Sequence, residues 1–423
     1  MHLKPLIISN NPFSNQTNNG KTLESIFNIF PKKNLSQLYF TEYLNPDFNF
    51  CDNYYKITDK DVLKNILLKK YGKKVENNFN INYSNNSIFL KNKEKYKVFH
   101  LVRDFIWSFN TWKSKNLYRW IESSKPDFIF FVAGGDKFSH NIALFLSRKF
   151  QLPLLTYFTD DYLLNERLNS NFDKYLHNRK IIYFRKLIQK SILCFAICDY
   201  MAEEYQNFFH KQFLTLINSI EINSEYEYKP NKTNKFIISY FGSLHTNRDV
   251  MLLKFSKIIN SITTFEIQLN VYTNSIPDND LLKKLELNSI CYKGSLVGAQ
   301  LIEAMKLSDF LLHIESDDSE SISKTKLSVS TKIPEYLSTC RPIISYGPIA
   351  VASLKIQSDN NIGYVLNSEN SNLENTELLI NFFKSKETQM KISLNGFNFV
   401  KLKFNRTIQN ELFKSKLYTI FSN

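Results

Sequence analysis

A short polar and charged run near position 330 has the residue types that bind a diphosphate. Pro334 favours the first turn of a helix, where its missing N–H costs nothing, and Ser330 or Thr331 can cap or flank that start. Lys332 lies just before the predicted helix. Free backbone N–H groups, the positive end of a helix and a lysine together favour a diphosphate. Glu335, one residue into the helix, could accept hydrogen bonds from ribose hydroxyls. The alternative is an ordinary capped helix with a solvated lysine and glutamate.

A second run, residues 239–249, leads from a predicted strand through a short loop into a helix. Gly242 and Ser243 would let a ligand approach the backbone closely. Arg248, near the helix start, could hold two phosphate oxygens at once through its planar guanidinium. An ordinary strand–loop–helix turn is the alternative. Because both runs follow strands in the same half of the chain, we expect them to converge on one site.

Acidic residues follow two predicted strands in the first half of the chain. Gly135 and Asp136 come after one strand, and Asp160 and Asp161 after the next, so all four are candidates for a ligand site, which the resemblance described below makes the acceptor site. A carboxylate at the end of a strand, Asp161 above all, could orient or deprotonate a hydroxyl of the ligand. A tight turn with a capping aspartate and a helix cap are the respective alternatives. Paired aspartates are a weak signal for a metal ion, so we expect no metal site.

The elements that must position these residues alternate between short apolar runs and helical patterns. This rhythm predicts an α/β fold with two doubly wound, parallel-sheet, Rossmann-like domains that face each other across a cleft. We place the first domain at 1–220 and the second at 236–405. The interval 221–235 is polar, contains Pro230 and lacks periodicity, which is typical of a linker. The last helix, 406–421, is expected to pack back on the first domain.

Helical periodicity in the first domain predicts helices over Lys21–Phe30, over 56–75 and, as one long helix, over Phe99–Ser123. Residues 91–120 mix basic and aromatic side chains at near-helical spacing. Such a face can lie in an anionic bilayer interface. The alternative is a helix whose tryptophans pack inside while its lysines are solvated.

The composition excludes several classes of protein. Of 423 residues, 43% are hydrophobic and 22% are charged, a globular balance that excludes disordered, collagen-like and disulfide-rich miniproteins. The excess of 54 Lys and Arg over 40 Asp and Glu gives a net charge of +14, which favours anionic partners such as nucleotide phosphates or acidic lipid headgroups. No apolar run reaches the roughly 18–20 residues that span a bilayer. Five scattered cysteines predict a reducing, cytoplasmic compartment.

Two segments resemble the glycosyltransferases of the GT-B fold, specifically glycosyltransferase family 4: ISYFGSLHTNR and STKIPEYLSTCRPIISYGP. Weaker similarities in the first half extend the resemblance over most of the chain, among them NNPFSNQTNNGKT, YFTDDY and ICDYMAEEY. The branch that they resemble assembles bacterial surface polysaccharide or lipopolysaccharide.

The resemblance implies a retaining transfer of a sugar from a nucleotide diphosphate to a glycan or a lipid-linked acceptor, without a metal or another cofactor. The second domain would hold the nucleotide sugar and the first the acceptor, with peripheral association at the inner membrane as an accompanying hypothesis. The donor would be bound by Gly20, Gly242, Ser243, Arg248, Ser330, Thr331, Lys332 and Glu335. In this scheme the catalytic residues are Arg248 and Lys332, which stabilise the leaving diphosphate, together with Asp161.

The sequence departs from the family at one position. The family often has two glutamates separated by seven residues; Glu335 matches the second, but the first falls at Leu327. Glu315 and the acidic run 317–320 lie upstream. The residue that contacts the donor sugar is therefore unassigned.

Two other functions are alternatives. One is a nucleotide-sugar epimerase of similar fold. The other, from a different class, is a basic nucleic-acid-binding protein. It is disfavoured because the basic residues are spread over both halves and no helix-turn-helix, zinc-finger or RNA-binding aromatic motif stands out. We therefore expect no nucleic-acid partner.

Overall fold

The computed structural model of the protein describes residues 2–14, 18–68, 72–76, 93–222 and 225–421. The chain divides into two compact units, the first formed by Met1–Asn218 and Leu412–Asn423 and the second by Ser219–Glu411. Both units are α/β, which confirms the predicted fold class.

The first unit is built on a sheet whose strands are β1 Pro5–Ser9, β2 Ser36–Tyr39, β3 Asn53–Lys56, β4 Lys73–Val75, β5 Phe128–Ala133, β6 Leu154–Phe158, β7 Leu193–Ala196 and β8 Phe213–Thr215. Within the described ranges these eight strands lie in the order β4-β3-β2-β1-β5-β6-β7-β8. Neighbours run parallel, except that β4 pairs antiparallel with β3 at the edge. The central strand β5 (FIFFVA) is buried along its whole length, as expected for a parallel strand covered on both faces.

The helices of the first unit are α1 Asn18–Phe27, α2 Asp59–Leu68, α3 Lys93–Ser108, α4 Lys115–Ser124, α5 Lys137–Phe150, α6 Asn171–Lys190 and α7 Asp199–Phe209. The predicted helix over 56–75 is wrong at both ends, because α2 is flanked by strands β3 and β4. A Cβ at Gly72 would lie 2.6 Å from the carbonyl oxygen of Lys56, so a glycine permits this close return of the chain. The predicted helix Lys21–Phe30 begins earlier, at Asn18.

The long helix predicted over Phe99–Ser123 is in fact two helices. After α3 ends, Asn110 adopts a left-handed φ of 57°. The side chain of Ser114 then caps α4 by accepting a hydrogen bond from the backbone N–H of Leu117 at 3.1 Å. The tryptophans of this region are buried, as the alternative interpretation of the segment required. Residues 91–92 of the segment 91–120 lie outside the described residues.

The second unit contains a wholly parallel sheet with strands β9 Lys235–Phe241, β10 Glu266–Tyr272, β11 Ile290–Tyr292, β12 Phe310–Ile314, β13 Ile343–Gly347 and β14 Tyr364–Asn367. In the part of the chain that the structure describes, its order is β11-β10-β9-β12-β13-β14. Its helices are α8 Arg248–Asn260, α9 Asn279–Leu287, α10 Gly298–Leu307, α11 Ser319–Thr325, α12 Lys332–Ser338, α13 Ala352–Asp359, α14 Asn372–Lys384, α15 Lys386–Lys403 and, at its end, α16 Arg406–Phe421.

Helix α16 begins in the second unit, and its residues from Leu412 onwards belong to the first. The buried ring of Phe413 lies edge-on to the rings of Phe27, Phe130 and Phe195, with centroids 5.8–6.2 Å apart. The C-terminal turns of α16 therefore complete the hydrophobic core of the first unit.

Residues 221–235, predicted as a linker, are counted with the second unit. Tyr228 is buried there, and the guanidinium of Arg341 lies over its ring at 5.6 Å. This part of the chain is therefore packed against the second unit.

Candidate functional site

The strand order of the second sheet reverses between β9 and β12. These two strands are neighbours, but the chain continues from β9 to β10 on one side and from β12 to β13 on the other. In doubly wound sheets of this 3-2-1-4-5-6 order, ligands bind beyond the carboxyl ends of the strands at the reversal. The residues that follow β9 and β12 are therefore the first place to look for a site.

Arg248 and Glu315 meet at this reversal. Arg248 is the first residue of α8, after β9, and Glu315 directly follows β12. The Nη2 of Arg248 donates to Oε2 of Glu315 at 3.1 Å. The Glu315 side chain is only 3% exposed and that of Arg248 is 24% exposed. The carboxylate is thus enclosed, while the guanidinium reaches solvent with N–H donors to spare.

His313 is the second partner of the Glu315 carboxylate. Its Nε2 lies 3.2 Å from Oε1, within reach of electrostatic attraction although the angle does not suit a hydrogen bond. Burial by itself would raise the pKa of Glu315, but His313 and the charge of Arg248 outweigh it and hold that pKa at about 2. Glu315 is therefore ionised at neutral pH and anchors Arg248.

The loop before Arg248 is held by residues that follow β12. Thr246 and Asn247 both adopt a left-handed φ of 58°. The hydroxyl of Ser316 donates to the carbonyl of Thr246, and the Asn247 side chain donates to Asp318 at 2.9 Å. Asp318 also caps α11. The acidic run downstream of β12 thus positions the start of α8.

Lys332 and Glu335 form an ion pair on α12, with Nζ and Oε2 2.7 Å apart and each side chain about one-third exposed. The prediction for the helix start is partly wrong, because α12 begins at Lys332 and Pro334 is its third residue. The Ser330 hydroxyl accepts from the backbone N–H of Lys332 at 3.3 Å, but the Thr331 side chain makes no capping hydrogen bond.

Tyr336 connects α12 to β9. Its hydroxyl accepts from the backbone N–H of Phe241 and donates to the carbonyl of the same residue, both at 3.0 Å. Tyr336 also interacts electrostatically with Arg248. Among the described contacts none joins Arg248 directly to Lys332. Tyr336 nevertheless attaches α12, which carries Lys332, to β9, the strand that precedes Arg248.

Gly242 and Ser243 both contact the hydroxyl of Tyr240. A Cβ on Gly242 would lie 2.7 Å from the hydroxyl of Tyr240. That hydroxyl donates to the carbonyl of Ser243 at 2.7 Å, and the Ser243 hydroxyl accepts from the backbone N–H of His245 at 3.1 Å. The glycine is therefore required for the packing of Tyr240, and the close approach of a donor to this backbone stays a prediction.

Leu327, which stands where the family often has its first glutamate, is a buried apolar residue. Glu315 does not take over that position, since its carboxylate is engaged by Arg248 and His313. Glu315 and His313 lie two residues apart at the end of β12, so strand alternation sends both side chains to the same face. That spacing was the signal in the sequence for their pairing.

Asp161 has a structural role in the first unit. Its carboxylate accepts hydrogen bonds at 2.8–2.9 Å from three backbone N–H groups, from the Asn165 side chain and from the hydroxyl of Tyr205. These donors occupy both oxygens, and the side chain is buried. Asp161 thus orders the loop after β6, which corrects its assignment as a general base; the predicted helix cap is closer to the observed role.

Asp136 lies at the start of α5 but does not cap it. Its oxygens instead accept from Nδ1 of His100 at 2.8 Å and Nη1 of Arg103 at 2.7 Å. Burial alone would raise its pKa, but His100 and Arg103 lower it. Arg103 also holds Asp59, which accepts from the indole N–H of Trp107. The sequence interpretation missed this network because its members are distant in sequence.

The structure brings Gly135 and Asp160 close to the same tyrosine. The ring of Tyr162 lies 3.3 Å from the Cβ position of Gly135, and its hydroxyl donates to Asp160 at 3.2 Å. Gly20 lies within the first turn of α1 rather than before the helix, and it is buried.

The described residues contain neither a cluster of metal ligands nor a membrane-spanning helix. Within the described ranges, no group of three or more His, Cys, Asp or Glu side chains is arranged to hold a metal ion. Across the same residues no helix has both the length and the apolar character needed to cross a bilayer. The expectation that the protein works without a metal stays a prediction.

Comparison with known proteins rests on structure rather than sequence. No protein-family model matches the sequence, and no curated protein matches it. A glycosyltransferase from Rickettsia africae superposes with a TM-score of 0.59 at 12% identity, covering 100% of this chain and 99% of that one. A UDP-forming α,α-trehalose-phosphate synthase from Burkholderia vietnamiensis gives 0.60 at 8% identity, with 98% and 100% covered.

A third solved structure, the lipopolysaccharide outer core galactosyltransferase WaaB, superposes with a TM-score of 0.60 at 13% identity, covering 99% of each chain. At these identities the likeness concerns the fold and extends over nearly the whole length of both chains. The protein therefore has the GT-B fold of these glycosyltransferases, as the resemblance in its sequence predicts.

Proposed function

We propose that this protein is a glycosyltransferase that moves a sugar from a nucleotide diphosphate to an acceptor. The observation that carries the proposal is Arg248, a partly exposed guanidinium fixed by a buried carboxylate at the strand reversal of the second sheet. The solved structures of similar fold support it, since one is a glycosyltransferase, one a galactosyltransferase and one a UDP-forming trehalose-phosphate synthase.

The proposed chemistry follows from charge. Breaking the bond between sugar and phosphate leaves negative charge on the diphosphate and positive character on the sugar ring. Preorganised cations stabilise that leaving group, and they do so most effectively where water is excluded. Arg248 and Lys332 would bind the diphosphate, and Glu335 the ribose. We propose a retaining outcome, in which the departing phosphate helps to deprotonate the acceptor hydroxyl.

The proposed acceptor is a glycan or a lipid-linked saccharide of a bacterial surface polysaccharide. WaaB, whose fold is similar, is a galactosyltransferase of the lipopolysaccharide outer core. The net charge of +14 suits an acceptor that carries phosphate or carboxylate groups.

The test is release of nucleoside diphosphate from a panel of nucleotide sugars, with and without acceptor glycans. Thermal shift identifies the donor first, because a ligand that binds the folded state stabilises it. Release should require donor and acceptor together. Arg248→Ala and Lys332→Ala should each lower kcat/KM at least about a hundredfold, with cooperative unfolding retained.

Lys254→Ala is the matched control. Lys254 also lies on α8 and pairs with a carboxylate downstream of β12, Asp317, at 2.5 Å, but outside the proposed diphosphate site. It should keep activity close to that of the unmodified protein. If Arg248→Ala and Lys332→Ala were as active as this control, the diphosphate site would be elsewhere.

Peripheral association with an anionic membrane is part of the proposal. Val102, Phe105 and Phe109 are exposed along and just after α3, with exposed fractions between 49% and 64%. Lys113 and Lys137 lie nearby, and both line a cavity together with Phe105. Exposed apolar side chains beside lysines favour an anionic bilayer surface.

Flotation with phosphatidylglycerol vesicles measures this association. The protein should float with them, less at high salt, and Phe105→Ser together with Phe109→Ser should reduce it. Flotation of the double variant at the level of the unmodified protein would assign the membrane contact to another surface.

A further inference from the structure

The first unit contains a cavity that none of the candidate residues from the sequence lines. It has a volume of about 440 Å³ and lies between α3, the segment that follows it, α5 and α6. Sites for small molecules typically span roughly 300–1,000 Å³ and combine apolar walls with a few convergent polar groups. The size of this cavity is that of a small-molecule site.

Aromatic rings form much of its wall. Trp107 and Trp112 line it, as do Phe138 and Phe145. Trp107 stacks on Phe138 with centroids 4.1 Å apart, and both are buried, so this part of the wall is rigid. Phe105, which also lines the cavity, is 64% exposed, so its ring can cover the apolar C–H face of a sugar ring.

Charged groups face the same cavity without being paired to one another. Asp104, Lys137 and Arg179 line it, and among the described residues none of the three takes part in an ion pair within 4.0 Å. Lys137 and Arg179 do act electrostatically on the Asp104 carboxylate, so they lie in its neighbourhood. These groups therefore keep donors and acceptors available for a ligand.

The balance of charges in the lining indicates that the ligand is an anion. Lys113 is a third cation of the lining, its Nζ 4.1 Å from the Phe145 ring centroid, against the single carboxylate of Asp104. An arginine fork and two ammonium groups favour phosphate or carboxylate. The Asp104 carboxylate and the Asn141 amide suit hydroxyl groups.

We infer that this cavity binds a sugar unit that carries a phosphate or carboxylate group, as a recognition subsite for the acceptor. The assignment of the ligand to the acceptor rests on the proposed function, whereas binding of an acidic sugar by the cavity does not. The aromatic wall holds the ring, Arg179 and Lys137 hold the anionic group, and Asp104 accepts from hydroxyls.

Tryptophan fluorescence tests the inference without an activity assay. The chain has three tryptophans, of which Trp107 and Trp112 line the cavity, while Trp120 donates its indole N–H to Asn53 outside it. Titration of the full chain with glucuronate or glucose 1-phosphate, up to about 10 mM as suits a single-sugar probe, should change the emission saturably. Neutral glucose and inorganic phosphate should change it less.

Arg179→Ala should weaken the response to both acidic sugars at least about tenfold, the loss expected for one charge-assisted hydrogen bond. Arg185→Ala is the matched control, since it removes the same charge from an exposed position of α6 that does not line the cavity. It should titrate like the unmodified protein. Equal responses of the two variants, or equal binding of glucose or inorganic phosphate, would overturn the inference.

The experiment separates this inference from the proposed function. Arg248→Ala should keep the fluorescence response even though it loses transfer. If the protein gave a saturable response but had no transferase activity, the cavity would still bind acidic sugars. The proposal that this sugar is the acceptor of a transfer reaction would then be wrong. A response to phosphatidylglycerol vesicles but to neither acidic sugar would assign the cavity to a lipid headgroup and overturn the inference.

Discussion

At the scale of single residues, the decisive feature is a buried carboxylate that presents a cation. The Glu315 side chain is 3% exposed and that of Arg248 is 24% exposed, so the carboxylate end of the pair is enclosed and only the Arg248 end reaches solvent. Removing one partner of a buried pair leaves the other charge uncompensated, which costs more than the pair contributes. Glu315 therefore acts on a ligand only through Arg248, as a positioning residue.

Glu315→Gln should make the free energy of unfolding less dependent on pH between pH 6 and pH 2. The pKa of Glu315 falls from 4.5 to about 2 on folding, so its contribution is fully present above pH 4.5 and is lost as pH falls towards 2. This contribution is on the order of 3 kcal/mol. Unfolding free energies of both proteins from urea titration between pH 6 and pH 2 should differ most at pH 6 and converge at pH 2.

Asp317→Asn is the control, because its pair with Lys254 is 30–44% exposed and such pairs contribute little. It should follow the unmodified protein over the whole pH range. If Glu315→Gln ran parallel to the unmodified protein down to pH 2, the carboxylate would not be ionised as described. In the transferase assay, Glu315→Gln should raise the donor KM more than it lowers kcat.

Residue types were predictable at this scale, but their pairings were not. Arg248 and Lys332 stand out from sequence because a cation at the start of a helix suits a phosphate. That Arg248 would pair with Glu315 depends on side-chain packing between the ends of two strands. The pair of Lys332 with Glu335 is local, since the two residues are three apart on one helix. Asp161 was interpreted wrongly as a base because its residue type does not reveal that both oxygens are occupied. Four of its hydrogen bonds come from residues 163–165 and one from the distant Tyr205.

At the scale of elements, one hydroxyl fixes α12 against β9. Tyr336 satisfies both the N–H and the carbonyl of Phe241 from the interior of the second unit. A short helix of seven residues has little stability of its own, so tertiary contacts must hold it. The position of Lys332 and Glu335 thus depends on Tyr336.

Tyr336→Phe should loosen that attachment. The loss of the hydroxyl leaves a buried N–H unpaired, and we expect the unfolding free energy to fall by about 1–3 kcal/mol. The donor KM should rise as well, measured by nucleoside diphosphate release at varied donor concentration.

Tyr364→Phe is the comparison, because its hydroxyl donates to the carbonyl of Leu378 in the same unit, away from the strand reversal. It should lower stability to a lesser degree and leave the donor KM unchanged. A Tyr336→Phe protein with an unaltered KM would show that α12 keeps its place without this contact.

Element types were predicted well where apolar periodicity was strong, as in the buried strand β5. Boundaries failed where a local signal competed with periodicity. Between α3 and α4, a left-handed Asn110 and a capping Ser114 outweigh helical spacing that continues through the break. The short strand β3 and the edge strand β4 were missed because the segment between and around them has helical periodicity, and the pairing of β3 with β2 and β4 is not visible in that pattern.

At the scale of the whole molecule, the fold class and the two-part organisation followed from the alternation of strands and helices. What the sequence could not supply is the aromatic and charged cavity of the first unit, because its lining comes from three helices and a connecting segment. A cavity is a property of packing, and no spacing rule in the chain describes it.

Phe413→Ala should destabilise the first unit in particular. The ring is buried among Phe27, Phe130 and Phe195, and removal of a buried phenylalanine costs about 3–5 kcal/mol. Calorimetry should then show a transition at lower temperature for the first unit, with that of the second unit unchanged. Tyr418→Ala, at a half-exposed position of the same helix, should unfold like the unmodified protein. A uniform shift of a single transition in Phe413→Ala would mean that the two units unfold together.

The passage of α16 from one unit into the other also sets an order for biosynthesis. A ribosome releases the chain from its N-terminus, and domains generally fold as units while it emerges. Residues 219–411 end only two residues before Phe413, so both units receive their last residues at nearly the same time, and the core begun by Phe27 stays incomplete until then. The half of the protein that is translated first therefore cannot close its core until translation is nearly finished.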